Sequence, residues 1–506
     1  MPAPARLILL GRAMAAATSG LLMALAFPPV DWVWTMPLGL AGLMWAVQEV
    51  SGRAGFGLGL LFGLGFMLPL MRWITIIGPD AWIALGLLEA TFYALTAMTW
   101  AWLRGRPWWP ATLAATWVAG EWLRGEVPFG GLPWGRLAFG LLDTPVVRYG
   151  RLGGTALVSF VVVLVVALTF DVVQRHADTW RTAGQVFCAL GLLGLSLVVP
   201  VGAAGAAGQI QVAAVQGNVP GEGMDAFAER RAVLHNHAEA ATDFGAQVDR
   251  GAEPAPDIMI WPENSTDIDP YADHSVYEEI DRAVRAVGVP TLVGAVAAGP
   301  DSTHVQNMGI VWSPRTGPGQ QYVKRHPVPF GEYIPFRSLL TKFIDRLNQI
   351  PKDFAQGDHV GVLDLGTTRI GDVICFEVAY DDLVRDVVDD GAELLVVQTN
   401  NATYTGTGQL EQQFAISRYR AIETGRSVVV AATNGISGVI TPDGTVTAVT
   451  QTKTRAVLDE PAELATGITL GVRFGALVEG VLCAMAALAT AWGYLGRRRS
   501  VGRMSR

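Results

Sequence analysis

This 506-residue chain is poor in charge: Asp, Glu, Lys and Arg together make up only 16% of it, against roughly 25% in an average soluble protein. It is also poor in cysteine (three) and histidine (seven), and carries a net charge of -8. The histidines and cysteines show no zinc-ligand spacing, and neither a P-loop nor a dinucleotide-binding glycine fingerprint is present. No metal or cofactor is therefore expected. The mild acidity, with no basic stripe interleaved with aromatics, argues against nucleic acid as a partner. The glycine-rich run 55–65 lies inside an apolar segment, where close helix packing accounts for it better than phosphate binding.

What fills the space left by charge is apolar sequence, with a mean hydropathy of +0.33. A membrane span needs about 20 mostly apolar residues. Such stretches run over 7–27, 34–47, 56–77, 82–103, 108–122, 155–170 and 186–201, and one more over 474–495; the second and fifth are short. Tryptophans crowd their ends (Trp32, Trp34, Trp73, Trp82, Trp102, Trp108, Trp109), as in an interfacial belt. Arg6, Arg12, Arg53, Arg104, Arg106, Arg175, Arg181, Arg497, Arg498, Arg499 and Arg503 fall on one side if every span is real, which makes that side cytoplasmic. Arg124, Arg136, Arg148 and Arg151 break this pattern. Seven spans then put residues 209 to about 471 outside the cytoplasm. The first span can alternatively be read as a signal peptide, since Ala24-Leu25-Ala26 resembles a cleavage site, without changing the side of the domain.

The expected organisation is a membrane domain over 1–208, an α/β domain over 209–470, and a final span with a basic tail over 471–506. Residues 202–208 read as a linker. Beyond it, strands are expected at 211–216, 257–261, 291–297, 308–313, 321–324, 371–374, 393–398, 427–432 and 438–441. Helices are expected at 226–248, 276–287, 378–390 and 410–424, and Pro442-Asp443-Gly444 marks a hairpin turn. This alternation predicts a layered α/β fold; the pattern alone fits a sandwich or a doubly wound sheet. Residues 336–354 have helical apolar spacing, which suits an arm dipping into a membrane interface or an amphipathic helix packed on the domain.

Working groups in α/β enzymes gather at the ends of buried strands. Glu263, Lys324 and Cys375 each follow such a strand. A carboxylate, an ammonium and a thiol suffice for acyl transfer: the first takes the thiol proton, the thiolate attacks a carbonyl, and the ammonium with backbone N–H groups holds the oxyanion. Cys375 stands where strand is expected to join helix, and a helix N-terminus there would favour thiolate. Cys188 and Cys483 fall in apolar spans, leaving Cys375 as the only thiol of the α/β domain. His326 is the rival base, but Pro327 follows it directly. Each residue also has an ordinary reading: a turn residue at Glu263, a solvated basic patch at Lys324, surface ion-pair partners at Glu332 and Glu377, a small core residue at Cys375.

Three segments together carry a family resemblance. Trp261-Pro-Glu-Asn-Ser265, Lys324-Arg-His-Pro-Val-Pro-Phe-Gly-Glu-Tyr-Ile-Pro335 and Ile374-Cys-Phe-Glu377 resemble the signature segments of the nitrilase superfamily, and its membrane branch, the apolipoprotein N-acyltransferases, most closely. Glu121-Trp-Leu-Arg-Gly125 and Gly131-Leu-Pro-Trp134 resemble that branch as well. The resemblance implies a polytopic helical membrane domain joined to a nitrilase-like αββα sandwich. It implies Glu263 as general base, Lys324 as oxyanion stabiliser and Cys375 as nucleophile, with Glu332 and Glu377 as further site carboxylates. It also implies a ping-pong reaction through a thioester, from a phospholipid donor to the amine of a diacylglyceryl lipoprotein. Phe376 replaces a tyrosine often found after the nucleophile, and the family's aromatic in 400–404 falls one residue later here, at Tyr404 rather than Thr403; both departures bear on donor preference. Two other readings stand beside this one. A membrane-tethered amidase would use water as acceptor, and a non-enzymatic scaffold or transporter would make use of Glu89 and Glu479 inside the spans.

Overall fold

The computed structural model describes residues 3–174, 179–221, 223 and 230–504. The chain divides into two compact units, 1–200 with 470–506 and 201–469.

The first unit is helical: α1 (Ala3–Leu25), α2 (Thr35–Ala46), α3 (Gly52–Leu70), α4 (Pro79–Leu103), α5 (Trp109–Glu126), α6 (Gly150–Gln174) and α7 (Thr179–Val198). Among the described residues, six helices are long and apolar enough to cross a membrane: α1, α3, α4, α6, α7 and the C-terminal helix. The two expected spans outside this set are the two short ones. α2 has only 12 residues, and α5 carries Glu121, Arg124 and Glu126. The glycine run of α3 does pack helices. A β-carbon on Gly59 would lie 2.4 Å from that of Ala97 on α4, and one on Gly63 would lie 2.6 Å from the Ala90 α-carbon. Buried Arg124 pairs with Glu89 at 3.1 Å and donates to the Leu132 and Trp134 carbonyls, so α5 pins the segment that follows it. Arg136 meets Glu479 at 3.4 Å. Both carboxylates of these apolar helices thus have a cation beside them. Arg175, and residues 226–229 of the helix expected from 226, lie outside the described residues.

The second unit opens with β1 (Ala206–Gln216), which begins inside the stretch expected to be a linker. Then come α8 (Arg230–Asp249), β2 (Ile258–Ile260), α9 (His274–Val287), β3 (Thr291–Ala298), β4 (His304–Ser313), β5 (Gly317–Val323) and α10 (Arg337–Leu340). After these follow β6 (Asp353–Phe354), β7 (Val362–Asp364), β8 (Arg369–Ile374), α11 (Asp381–Asp389), β9 (Leu394–Thr399) and α12 (Gln409–Thr424). β10 (Val428–Ala432), β11 (Gly438–Ile440), β12 (Val446–Val449) and β13 (Ala456–Ala465) close the unit, and α13 (Leu470–Met504) belongs to the first.

The strands form two sheets, ordered β13-β1-β2-β3-β4-β5 with β6 on β4, and β12-β11-β10-β9-β8-β7. Val212, Ile258 and Leu292 of the first share one core with Ile370, Leu394, Val396 and Val429 of the second. The other face of the first sheet buries Met259 and Val293 against Leu234 and Phe244 of α8 and Ile280 and Val284 of α9. α11 and α12 cover the second. This is an αββα sandwich, and the doubly wound alternative falls because two separate sheets share an interior.

Two expectations fail here. The 336–354 segment is not one helix: Phe336 has a left-handed φ of 52°, α10 lasts one turn, and a short 3-10 turn at Asp345–Gln349 follows. The helix expected from 378 begins only at Asp381, behind a 3-10 turn over Cys375–Ala379.

Candidate active site

Each of three strands ends in a chemically capable side chain. β2 runs through Trp261 and Pro262 to Glu263, β5 stops one residue before Lys324, and β8 stops at Ile374, one before Cys375. Cys375 has a φ of 59°, in the left-handed region that a residue with a β-carbon occupies only under strain. Such a sharp turn off a strand end lifts a nucleophile clear of its sheet.

The structure brings Glu263, Lys324 and Glu332 into direct contact. Lys324 Nζ donates to Glu263 Oε1 at 3.1 Å and to Glu332 Oε1 at 2.8 Å. Asn307 Nδ2 spans the same two oxygens at 2.6 and 3.1 Å. The backbone N–H of Asn400 donates to Glu263 Oε2 at 2.7 Å, and that of Val328 to Glu332 Oε2 at 2.7 Å. Thr399 Oγ1 donates to Cys375 Sγ at 3.3 Å. Burial works against the charge on Lys324, but Glu263, Glu332 and the neighbouring Cys375 and Glu377 outweigh it, so its pKa stands well above the ordinary value. An ammonium held this way stays charged and cannot serve as a base.

The thiolate expected from a helix N-terminus is not supported. α11 starts six residues beyond Cys375. Burial, and then the negative charge of Glu263, push the thiol up to about 12, with Lys324 and the Thr399 hydroxyl acting the other way. The resting group is a protonated thiol beside a carboxylate.

Glu377 is fully buried, which removes the surface ion-pair reading. Its carboxylate accepts from the backbone N–H groups of Ile374, Arg325 and His326 at 2.8, 2.7 and 2.9 Å, and from the Tyr322 hydroxyl. It therefore ties the residues after Lys324 to the strand end before Cys375. Burial raises its pKa to about 7 against the pull of Lys324 and these donors. Phe376, between the two, is half-buried. His326 stacks on Tyr380 at 4.0 Å, and no hydrogen bond joins its ring to Cys375 among the described residues. Tyr404 sits close enough that, after burial, Cys375 and Glu332 are what raise its hydroxyl pKa.

Sequence reasoning missed Asn307, Thr399 and Arg420. Thr399 closes the buried strand β9 beside β8, the same kind of strand-end position that marked Cys375. Asn307 lies within β4 rather than at its end. Arg420, from α12, holds the turn after Cys375 by its Val378 and Ala379 carbonyls at 2.8 and 2.9 Å and is neutralised by Asp381 and Glu423. Among the described residues no group of acidic, His and Cys side chains is arranged to hold a metal.

Residues 211–466 match the carbon-nitrogen hydrolase family and residues 19–168 the apolipoprotein N-acyltransferase N-terminal domain. The apolipoprotein N-acyltransferase of Mycolicibacterium smegmatis is 38% identical over 92% of this chain and 82% of its own. This chain belongs to the apolipoprotein N-acyltransferase family. The Chromobacterium violaceum member is 30% identical over 94% of this chain and 92% of its own. Among solved structures, an amidase of the nitrilase superfamily from Nesterenkonia AN1 aligns with 17% identity and a TM-score of 0.37, over 53% of this chain and 93% of that one. The chain is thus an acyltransferase of a bacterial membrane, with a nitrilase-like domain joined to apolar helices.

Proposed function

We propose that this acyltransferase moves a fatty acyl chain from a membrane phospholipid to the N-terminal amine of diacylglyceryl-cysteine apolipoproteins, in two half-reactions through a thioester on Cys375. The relatives are apolipoprotein N-acyltransferases, which supports an apolipoprotein acceptor and acyl transfer to nitrogen. The observation that carries the mechanism is the shared Glu263–Lys324 contact, whose charges both act on Cys375. Glu263 takes the thiol proton as sulfur attacks the ester carbonyl, and the Lys324 ammonium faces the negative charge that develops on the carbonyl oxygen. Because the thiol is held near 12, proton transfer and attack belong to one concerted event. Collapse returns the proton to the leaving lysophospholipid oxygen. The acceptor amine then attacks the thioester, loses its proton to Glu263, and restores the thiol. Glu332 and Glu377 keep the cation and the nucleophile turn in place.

A lipid donor suits a domain whose two ends both continue into apolar helices. If α2 and α5 both cross, seven spans precede the domain, and if neither does, five. With seven spans, the count that keeps the arginines on the cytoplasmic side, we infer the extracytoplasmic side for the domain.

The test is the intact mass of the protein after incubation with phospholipid, before and after neutral hydroxylamine. A fatty-acyl increment that hydroxylamine removes and Cys375→Ala lacks is expected. No adduct, together with hydrolysis of small soluble amides, would replace this reading with the tethered amidase.

A further inference from the structure

Three residues before Cys375, β8 turns a carboxyl group into the apolar interior shared by the two sheets. Ile370 and Ile374 on the same face belong to that core, and Asp372 between them is completely buried. Among the described residues neither of its carboxyl oxygens has a hydrogen-bond donor. Gln398, on the neighbouring β9, points into the same interior. Its Nε2 donates to the Trp261 carbonyl, while its Oε1 also has no donor. The two bare oxygens meet at Gly309 of β4, where a β-carbon would lie 2.1 Å from Asp372 Oδ2 and 2.8 Å from Gln398 Oε1. The absent side chain at 309 is what makes room for them.

Two acceptors facing each other in a dry core repel, and each forfeits the hydrogen bonds it had in water. One proton removes the conflict, since a carboxylic acid donates through one oxygen and still accepts on the other. We propose that Asp372 is a positioning residue that works as a neutral carboxylic acid: it donates to Gln398 Oε1 and so orients the amide that holds the Trp261 carbonyl. Burial first, then the negative charges of Glu377 and Glu263, keep its pKa well above the ordinary carboxylate value. The other titratable group turned towards it is Tyr322 of β5.

The consequence reaches the chemistry by three short routes. Trp261 lies two residues before Glu263. Thr399, the residue after Gln398, donates to Cys375 Sγ. Asn400, one further on, donates its backbone N–H to Glu263 Oε2. The pair thus joins the strand of the nucleophile to the strand of the base across the sandwich. The importance of that alignment rests on the roles proposed above for Glu263 and Cys375.

Infrared difference spectra of the full chain in detergent test the proton itself. At a pH well above the value of about 7 for Glu377, the wild type should retain a protonated-carboxyl C=O band that Asp372→Asn lacks; identical spectra would overturn the proposal. Alkylation of Cys375 by iodoacetamide, read by intact mass, tests the positioning without any lipid, so it stands apart from the identity of the acyl donor. Asp372→Asn, whose amide N–H can donate in place of the acid, should react within about threefold of wild type. Asp372→Leu should be slower on the order of tenfold, and Gln398→Met, which tests the other partner should the leucine variant not fold, should be slowed alike. Wild-type rates in the folded leucine or methionine variant would refute the positioning role even if the band is present.

Discussion

Lys324→Met isolates what the buried cation does. Methionine is similar in length, so the change removes charge with little loss of volume. In the native site the ammonium bonds Glu263 and Glu332 at 3.1 and 2.8 Å, with all three side chains largely buried. Without it the two carboxylates face each other across the single amide of Asn307, which both already use. Removing one partner from a buried ion pair costs about 3–5 kcal/mol, and two pairs share this cation, so a loss near the top of that range is expected at neutral pH. The deficit should depend on pH with a definite sign. Two adjacent carboxylates bind a proton in the folded variant more tightly than in the unfolded chain, so stability recovers as the pH falls, by up to about 1.4 kcal/mol per pH unit. Unfolding in detergent, followed by tryptophan fluorescence across the acid to neutral range, measures both quantities, and mass spectrometry of the same samples should show no thioester. A variant as stable as wild type at neutral pH, or a deficit that does not shrink on acidification, would refute the description of Lys324 as the neutralising centre of the site.

Glu377→Gln replaces an acceptor of three backbone N–H groups with an amide that must turn its own N–H towards at least one of them; a loss of about 2–3 kcal/mol in stability is expected, with slower alkylation of Cys375, and an unchanged variant would remove Glu377 from the site's support. The Cys375 thiol should give no thiolate absorbance on titration through pH 9, when wild type and Cys375→Ala are compared, because its folded value is about 12. The linkage has a matching sign: this group's contribution to stability is complete below pH 9 and is lost between about 9 and 12, where only the unfolded chain releases the proton. Thr399→Val removes the donor to Sγ and the acceptor of the buried Gln413 amide, so thioester formation should slow about tenfold and stability should fall by about 1–3 kcal/mol; equal rates would show that the hydrogen bond to sulfur is incidental.

Much of this was legible in the sequence, for identifiable reasons. Glu263, Lys324 and Cys375 could be singled out because each lies within three residues of the end of a short apolar strand bounded by a change in composition. Hydropathy located six of the eight expected spans; α2 is too short, and at α5 Arg124 is buried by a partner, Glu89, 35 residues away that no local window includes. β13 was missed because Asp459, Glu460 and Pro461 interrupt its apolar pattern; it is a strand because β1 pairs with it along its whole length. The choice between a sandwich and a single wound sheet was not available, since both bury the same residues and differ only in which strands are neighbours. The helix expected after Cys375 rested on apolar spacing that is real, but Glu377 draws the backbone into a tighter turn by capturing the Ile374 N–H. Asn307 and Asp372 carry no local signal at all, as interior strand positions whose meaning depends on the opposite sheet.

The sheet that supplies Glu263 and Lys324 is not the one that supplies Cys375. On the roles proposed above, neither half of the domain can therefore be catalytic alone. On those roles, competence requires the two sheets to be closed on their common core. Substitutions at Val396 or Val429, deep in that core and remote in sequence from all three groups, are for the same reason able to silence the enzyme while leaving each of its sheets intact.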